Sequence, residues 1–432
     1  MESILILLAI ILAVYLGNKI EVNTGILALG FAYLIGTFII GMSVNDFLAT
    51  FPTKLFIVIY SLSLFFNFAV DNGTLDKLAR ALLYYARNFT IFLPLLLYLI
   101  STLVSGLGAG YFTTVAVMTT IGMTISTKAG LNRLLAAIPI SLGALAGANF
   151  MVSSHGVIFS NLLVETPLAS QANAITQDIF WVTFLYPIVV ILLMIFNNAR
   201  TTEKQREQVS FEKPEAFTRK QKLNLVLIAI FMLTILIIPI LNSLVESTRL
   251  NYINARIDIS LLAIVFAIIA YLINLADNPK EVAARVPWNT IWLITGMSML
   301  ISVAVEAGTI EVLASAINQM PDSIIPIVIT IISGIMSMFS STIGVVAPLM
   351  FPMVAQLSEH SVHTPALLII AVIVGAQSTA ISPFSSGGSL TLGNSLLIGE
   401  EQDRLFKNLL YKATPLGLLC STLTIVILML FV

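Results

Sequence analysis

The chain has 432 residues, of which 58% are hydrophobic and only 10% are charged, and its formal net charge at pH 7 is -1. A soluble domain carries roughly 25% charged residues, so this composition excludes a soluble globular protein and predicts an integral membrane protein. The small net charge gives no reason to expect nucleic acid as a partner. Long uninterrupted apolar segments indicate spanning helices, and the predicted fold class is therefore an all-α polytopic membrane protein.

Several apolar segments are predicted to cross the bilayer, in chain order residues 3–17, 22–41, 54–70, 131–165, 178–197, 223–244, 259–275, 288–305, 364–399 and 408–431. The first of them has no basic residues before it and no clear small-residue cleavage site, so it is predicted as a retained helix and not as a signal peptide. Segments 131–165 and 364–399 are interrupted by small polar residues and are predicted as broken helices.

Two further apolar regions, residues 91–125 and 324–357, are predicted as re-entrant hairpins. Each has two limbs shorter than the ~20 residues that a spanning helix needs. The polar tip between the limbs is tolerable only if it is buried in protein or lines a cavity. Two ordinary helices joined by a loop at the membrane surface are the alternative, and both arrangements give the same topology.

The orientation in the membrane follows from the basic residues. Residues 198–222 form the only long polar segment and carry seven of them, so this linker is predicted to be cytoplasmic. Counting crossings outward from the linker places eighteen basic residues inside and three outside. Both termini are then extracytoplasmic, and the predicted location is the inner (plasma) membrane.

The chain contains an internal repeat. Gly143–Gly156 and Gly375–Gly388 are copies of one another that break a helix at a Ser-Ser pair, and Pro52–Ala79 aligns with Pro287–Ala314 without a gap. Five predicted crossings per copy invert the second copy relative to the first, an arrangement typical of secondary transporters. The predicted domains are a first repeat over 1–197 with scaffold helices in 3–70, the linker 198–222, and a second repeat over 223–432 with scaffold helices in 223–305.

The breaks predict an anion-binding site. Helix starts are expected after Gly110, Gly156, Thr342 and Ser389, and the free N–H groups of such starts bind anions without any basic side chain. Two plainer interpretations stay open, because the glycines could serve close packing and the serines could only cap the broken helices. The predicted anion-binding residues are Gly108, Gly110, Thr113, Ser153, Ser154, His155, Gly156, Ser341, Thr342, Ser385, Ser386, Gly387 and Gly388.

His155 is the only ionisable side chain near either break. It could contact the anion, titrate during transport, or only satisfy nearby backbone groups. Asp71 and Glu306 lie at helix ends beside Gly-Thr pairs and are interpreted as end caps. The sequence shows no nucleotide-binding loop, metal cluster or catalytic triad, so we predict no enzymatic activity and no cofactor, with sodium ions as the one open option.

These residues resemble the ion-transporter superfamily, and within it the malonate/dicarboxylate-carrier-like permeases and the divalent anion:sodium symporters. The resemblance covers nearly the whole chain and is carried by Gly106–Thr114, Gly143–Gly156, Ser337–Pro348 and Gly375–Gly388. It implies an elevator mechanism, in which hairpins and broken helices slide against a scaffold that is usually dimeric. The symporters carry Ser-Asn-Thr at both tips, and the asparagine is missing from both tips here. The resemblance also implies sodium sites where each tip faces a break, at Ser105, Gly106, Asn149, Ser337, Ser340, Ala380 and Ser382.

The sequence thus predicts a secondary transporter for a small organic anion, foremost a three- or four-carbon dicarboxylate, driven by a sodium or proton gradient. Its predicted partners are the anion, the coupling cation, the lipid bilayer and a second copy of the chain. One alternative is a sodium/proton antiporter, although neither break nor tip has the carboxylate that such exchange normally uses. Another is the large membrane subunit of a binding-protein-dependent carrier. A channel and a non-transporting scaffold or sensor are further alternatives.

Overall fold

Helices form all the regular structure in the part of the chain that the computed structural model describes. This part comprises residues 2–85, 92–128, 132–199, 213–244, 247–254, 256–358, 361–395, 397 and 399–431. Residue 91 of the first predicted hairpin, residue 131 of the first broken helix, residues 396 and 398 of the second and residues 200–212 of the linker lie outside the described residues.

The first half of the chain contains the helices α1 (Glu2–Lys19), α2 (Thr24–Ile35), α3 (Val44–Ala49), α4 (Thr53–Asp71), α5 (Thr74–Tyr85), α6 (Leu93–Val104), α7 (Gly110–Lys128), α8 (Leu134–Ala148), α9 (Ser154–Val164) and α10 (Ala172–Ala199). Wider π-helical turns extend α2 over Gly36–Ile40 and connect α6 to α7 over Ser105–Ala109. A short 3-10 turn, Ala169–Gln171, precedes α10.

The second half contains α11 (Arg219–Leu244), α12 (Thr248–Asn254), α13 (Ile259–Leu272), α14 (Pro279–Ala284), α15 (Trp288–Glu306), α16 (Thr309–Asn318), α17 (Ile325–Met338), α18 (Ala347–Ser358), α19 (Pro365–Ser378), α20 (Ser386–Gly393), α21 (Glu400–Asn408) and α22 (Thr414–Leu428). A 3-10 turn, Asp322–Ile324, precedes α17, and π-helical turns lie at Thr342–Val346 and Leu409–Ala413.

Helix starts recur at constant spacing in the two halves. Helices α13, α14, α15 and α16 begin 235 residues after α2, α3, α4 and α5, and α17 and α20 begin 232 residues after α6 and α9. The glycine contacts recur as well, because a Cβ added to Gly143 would clash with the carbonyl of Tyr98 and one added to Gly375 would clash with that of Thr330. The two halves therefore share one order of helices, and the inversion of one copy relative to the other stays a prediction.

Membrane-spanning helices are present by length and composition. Among the described residues, five helical stretches are long and apolar enough to cross a membrane, and up to seven if each sharply bent helix pair counts as one span. Helix α10 exposes Leu185, Val189, Leu193 and Phe196. Their spacing of three or four residues places them on one helix face, as expected for a helix that contacts lipid.

The region predicted as the second hairpin folds back on itself. Its limbs, Asp322–Met338 and Thr342–Ser358, meet at 118° across a short break. The break is set by hydrogen bonds within the tip, where Ser341 Oγ accepts from the Gly344 N–H at 3.3 Å and caps the second limb. This bend is the geometry expected of a re-entrant loop or a broken span.

The region predicted as the first hairpin also reverses direction, although its helical segments follow one another almost without interruption. In one straight helix Leu97 and Gly122 would be about 37 Å apart, whereas a Cβ on Gly122 would lie 3.3 Å from Leu97 Cδ2. The reversal falls at the tip, where Gly108 has φ +104° and Gly110 has φ +70°. Both values lie in the left-handed region that glycine adopts most readily.

Contacts divide the chain into two compact units, and neither coincides with one half of the sequence. The first unit comprises Met1–Phe56, Ile158–Tyr186 and Trp288–Val432, and the second comprises Ile57–Val157 and Pro187–Pro287. Hairpin 1 (92–128) and the first helix break lie in the second unit. Hairpin 2 (325–358) and the second helix break lie in the first unit.

Polar contacts in the second unit give Asp71 a structural role. Its Oδ2 accepts hydrogen bonds from the backbone N–H groups of Asp277 at 2.7 Å and Asn278 at 3.0 Å. Asp71 thus caps the turn before α14, and not an end of its own helix. The neighbouring Asn72 donates to the carbonyl of Leu275 at 3.1 Å, which fixes the same turn.

Candidate functional site

The tip of hairpin 1, Ser105–Ala109, is bonded directly to break 1, the residues 149–153 between α8 and α9. Ser105 Oγ donates to the carbonyl of Ala144 at 2.7 Å. In return, Ser153 Oγ lies 2.9 Å from the carbonyl oxygen of Gly106 and 3.3 Å from that of Ser105. Two predicted cation-binding residues and one predicted anion-binding residue therefore meet in one place.

A glycine permits this close approach. A Cβ on Gly147 would clash with the carbonyl of Thr102 and would lie 2.8 Å from the backbone nitrogen of Gly106. Any side chain at position 147 would therefore push the tip away from the break. The carbonyl and hydroxyl oxygens gathered here are ligands of the kind that unwound membrane helices offer to sodium.

Break 1 also contains a buried polar cluster around His155. The rings of Tyr111 and His155 are 6.0 Å apart, and the Tyr111 hydroxyl is 3.2 Å from Ser141 Oγ. Tyr111, Ser141 and His155 are 5%, 1% and 3% exposed. The sequence analysis did not include Tyr111 or Ser141 among the site residues, although the position of Tyr111 directly after the Gly-x-Gly tip was a usable signal.

Break 2, the residues 379–385 between α19 and α20, is held by its own serine. Ser385 Oγ accepts from the N–H of Gly388 at 3.1 Å and donates to the carbonyl of Ala380 at 2.6 Å. Ser385 is thus the N-cap of α20 and also closes the loop before it. The equivalent Ser153 instead reaches across to a hairpin tip, so the two copies hold their breaks differently.

Hairpin 2 is attached to its broken helix one turn before its tip. Thr379 Oγ1 donates to the carbonyl of Gly334 at 2.7 Å. Nearer the tip, Ser337 Oγ and Thr342 Oγ1 are 3.1 Å apart, and Ser340 Oγ donates to its own helix at Met336. Thr379 is therefore a positioning residue that the sequence analysis did not name.

The paired serines at each break differ in exposure. The first of each pair is buried, with Ser153 at 1% and Ser385 at 3% exposure. The second of each pair is more open, because Ser154 is partly exposed and Ser386 is exposed. Ser154 and Ser386 are also the first residues of α9 and α20, so each stands beside the free N–H groups of a helix start.

The half-helices α9 and α20 begin three residues earlier than the sequence analysis expected. Helix α9 begins at Ser154 and not after Gly156, and α20 begins at Ser386 and not after Ser389. The reason at α20 is the Ser385 cap, which starts the helix directly behind it. Gly156 and Gly388 therefore lie inside the first turn, where a Cβ would clash with the carbonyl of Phe150 or Ser382. Close packing is thus one role of these two glycines.

The remaining predicted residues are placed as follows. Thr113 is half-buried on the first turn of α7, and Gly387 is buried on α20. Asn149 and Ser382 are fully buried in their breaks, and Ala380 is 6% exposed. The described residues contain no cluster of His, Cys, Asp or Glu that would hold a metal ion.

A solved structure shares this fold. The YdaH transporter of Alcanivorax borkumensis superposes with a TM-score of 0.59 at 14% sequence identity, over 93% of this chain and 89% of that one. At this identity the likeness concerns the fold alone. No curated protein matches the chain.

Interrupted helices, folded-back hairpins and long apolar spans define the class: the chain is a multi-pass membrane transporter. Its family is shown by the sequence over most of its length. The chain belongs to the family described as dicarboxylate carrier protein MatC N-terminus, whose model matches residues 1–148 and 228–380.

Proposed function

We propose that this protein is a secondary active transporter of a small organic anion, a dicarboxylate with three or four carbons, coupled to a sodium or proton gradient. The observation that carries the proposal is the pair of helix starts at Ser154 and Ser386, each with an accessible serine hydroxyl next to unpaired N–H groups. The family description, which names a dicarboxylate carrier, supports the substrate class.

The charges of both modules favour an anion substrate over cation exchange. No aspartate or glutamate occurs in residues 77–164, 323–358 or 360–399, which contain both hairpins and both breaks. A sodium/proton antiporter normally exchanges its ions at an intramembrane carboxylate. A dianion, in contrast, would meet helix N-termini and hydroxyl donors with no acidic group to repel it.

The mechanism and assembly are part of the same proposal. Hairpins and broken helices move as an elevator against a scaffold in a homodimer of inverted repeats, located in the inner membrane with both termini outside. The repeat is supported by the recurring helix starts, and also by the family match, since its two segments end at Ala148 and Ala380, 232 residues apart. The oxygen cluster of Ser105, Gly106 and Ser153 supports a cation site at the tip of hairpin 1.

The test is uptake into proteoliposomes that contain only this purified chain. Labelled malonate, succinate, citrate and lactate are supplied outside, and sodium and pH gradients are imposed separately. We expect saturable uptake of malonate or succinate that one of the gradients drives and that excess unlabelled dicarboxylate inhibits.

Other outcomes would decide between the alternatives. Uptake that needs an added binding protein would indicate a carrier subunit, and flux without counterflow would indicate a channel. Sodium-dependent proton movement without any anion transport would indicate an antiporter. No anion transport under any gradient would contradict the proposal.

A further inference from the structure

The polar cluster at break 1 has no counterpart at break 2. In the second unit, His155 lies against Tyr111, whose hydroxyl pairs with Ser141. At the positions 232 residues later the sequence has Ile373 in place of Ser141 and Gly387 in place of His155. Whatever chemistry this cluster performs therefore belongs to one half of the repeat alone.

No acidic side chain on the surrounding helices can neutralise a charged imidazole. Residues 77–164 contain no aspartate or glutamate, and this range includes α6, α7, α8 and α9 entirely. Within the same helices the titratable or charged side chains are Tyr98, Tyr111, Lys128 and His155, with Arg133 just before α8. Lys128 is 17 residues beyond Tyr111, about 26 Å along α7.

The other element packed on α9 is equally free of charge. Phe159 of α9 contacts Phe351 of α18, with ring centroids 5.8 Å apart. Helix α18, Ala347–Ser358, carries no ionisable side chain. A proton on His155 would therefore create a buried positive charge for which these helices offer no counter-charge, and such a charge is strongly unfavourable.

An anion beside the helix start would change this balance. A dicarboxylate held by the N–H groups of α9 would lie within the first turn that also carries His155. A neighbouring opposite charge raises the proton affinity of an imidazole by about one to three powers of ten. The substrate itself would then provide the counter-charge that the protein lacks.

We propose that His155 binds one proton together with each anion, so that anion transport by this protein is coupled to protons through this residue. The proton comes from bulk water and adds to the unprotonated nitrogen of the ring, and the bound dianion reduces the cost of the resulting charge. The Tyr111–Ser141 hydroxyl pair borders the ring and limits its orientation. This inference rests on the proposed anion transport and identifies its coupling ion.

Coupling of this kind is reciprocal. If one proton is bound with each anion, the apparent Kd of the anion rises about tenfold for each pH unit over the range in which the free site is unprotonated. The measurements belong above about pH 7, where dicarboxylates are already fully ionised in solution.

Calorimetry of succinate and malonate binding to the purified full chain gives the proton count directly. Each titration is repeated in two buffers that differ in their heat of ionisation, and the slope of heat against ionisation heat is the number of protons taken up. We expect a slope near one for the wild-type protein and near zero for His155→Gln. His363→Gln is the matched control, because this histidine bonds the carbonyl of Asp322 outside both breaks, and it should retain the wild-type slope.

A second measurement covers the case in which His155→Gln loses anion binding. The double variant His360→Gln/His363→Gln leaves His155 as the only histidine in the chain. Its 15N imidazole signal should move from the neutral to the protonated position when malonate is added.

The outcomes separate this inference from the proposed function. Anion binding whose heat does not depend on the buffer, or an imidazole signal that stays neutral with malonate bound, overturns proton binding at His155 and leaves anion transport standing. Full proton uptake in His155→Gln overturns it equally. No binding of either anion to the wild-type protein rejects the proposed function and this inference together.

Discussion

Neighbouring serines at each break have separate tasks. Ser385 is buried and caps α20, and Ser153 is buried and bonds the tip of hairpin 1. Ser154 and Ser386 face more open surroundings at the helix starts. The sequence identified all four positions from the repeated motif. It could not assign the tasks, because the backbone angles at a helix start decide which of two adjacent side chains points outward.

The substitution Ser386→Ala should weaken substrate binding without unfolding the protein. One lost hydrogen bond is worth about 0.5–1.5 kcal/mol, so we expect KM for the anion to rise about two- to tenfold with an unchanged melting temperature. Ser385→Ala should instead lower the melting temperature, since loss of an N-cap costs ~1 kcal/mol.

Ser389→Ala is the control for this pair. Ser389 is exposed on the same helix and donates to the carbonyl of Ser386 at 3.1 Å, so its removal should leave KM close to the wild-type value. Equal KM values for wild type and Ser386→Ala would show that this hydroxyl does not contact the substrate.

Glycine at the element scale has more than one purpose within the tip of hairpin 1. Gly108 has φ +104°, and a Cβ there would clash with the ring of Phe66. Gly106 has no such strain, and the nearest atom to its Cβ would be the Gly147 carbonyl oxygen at 3.6 Å. The Gly-x-Gly-x-Gly pattern alone treats these glycines as equals, and only the folded tip distinguishes them.

Gly108→Ala should therefore destabilise the protein far more than Gly106→Ala. A non-glycine residue in a disfavoured backbone region costs of order 1–3 kcal/mol, and the clash with Phe66 adds to it. Thermal unfolding in detergent, followed by fluorescence or by loss of soluble dimer or monomer, measures both variants under one condition. Similar melting temperatures for the two variants would mean that the chain does not reverse at Gly108.

At the scale of the whole molecule, each hairpin lies with its own broken helix in one compact unit, and the two pairs belong to different units. The contacts from Ser105 to Ala144 and from Thr379 to Gly334 tie hairpin to broken helix in each pair. The convergence of all four helix starts on one substrate remains a prediction from the inverted repeat. The same is true of the orientation in the membrane, which rests on the distribution of basic residues.

Labelling of single cysteines tests that orientation. In a Cys420→Ala background, Glu215→Cys should react with an impermeant maleimide only from the cytoplasmic side, and Val362→Cys only from outside. Both positions are suitable reporters, because the Glu215 side chain is 94% exposed and Val362 is 76% exposed. Permeabilised cells, in which both cysteines react, provide the control, and labelling of both from one side of intact cells would reject the predicted topology.

The sequence by itself determined the membrane class, the positions of the helices, the two interruptions and the repeat. It could do so because apolar length and the spacing of Ser, Gly and Pro are local properties that hydropathy and helix propensity express directly. The tertiary structure decided which atoms meet: that Ser153 reaches the tip of hairpin 1 whereas Ser385 caps its own helix, that Thr379 fastens hairpin 2, and that Tyr111 and Ser141 surround His155. These contacts join residues from separate helices, and their distances depend on how closely the backbones approach, which no local pattern in the sequence specifies.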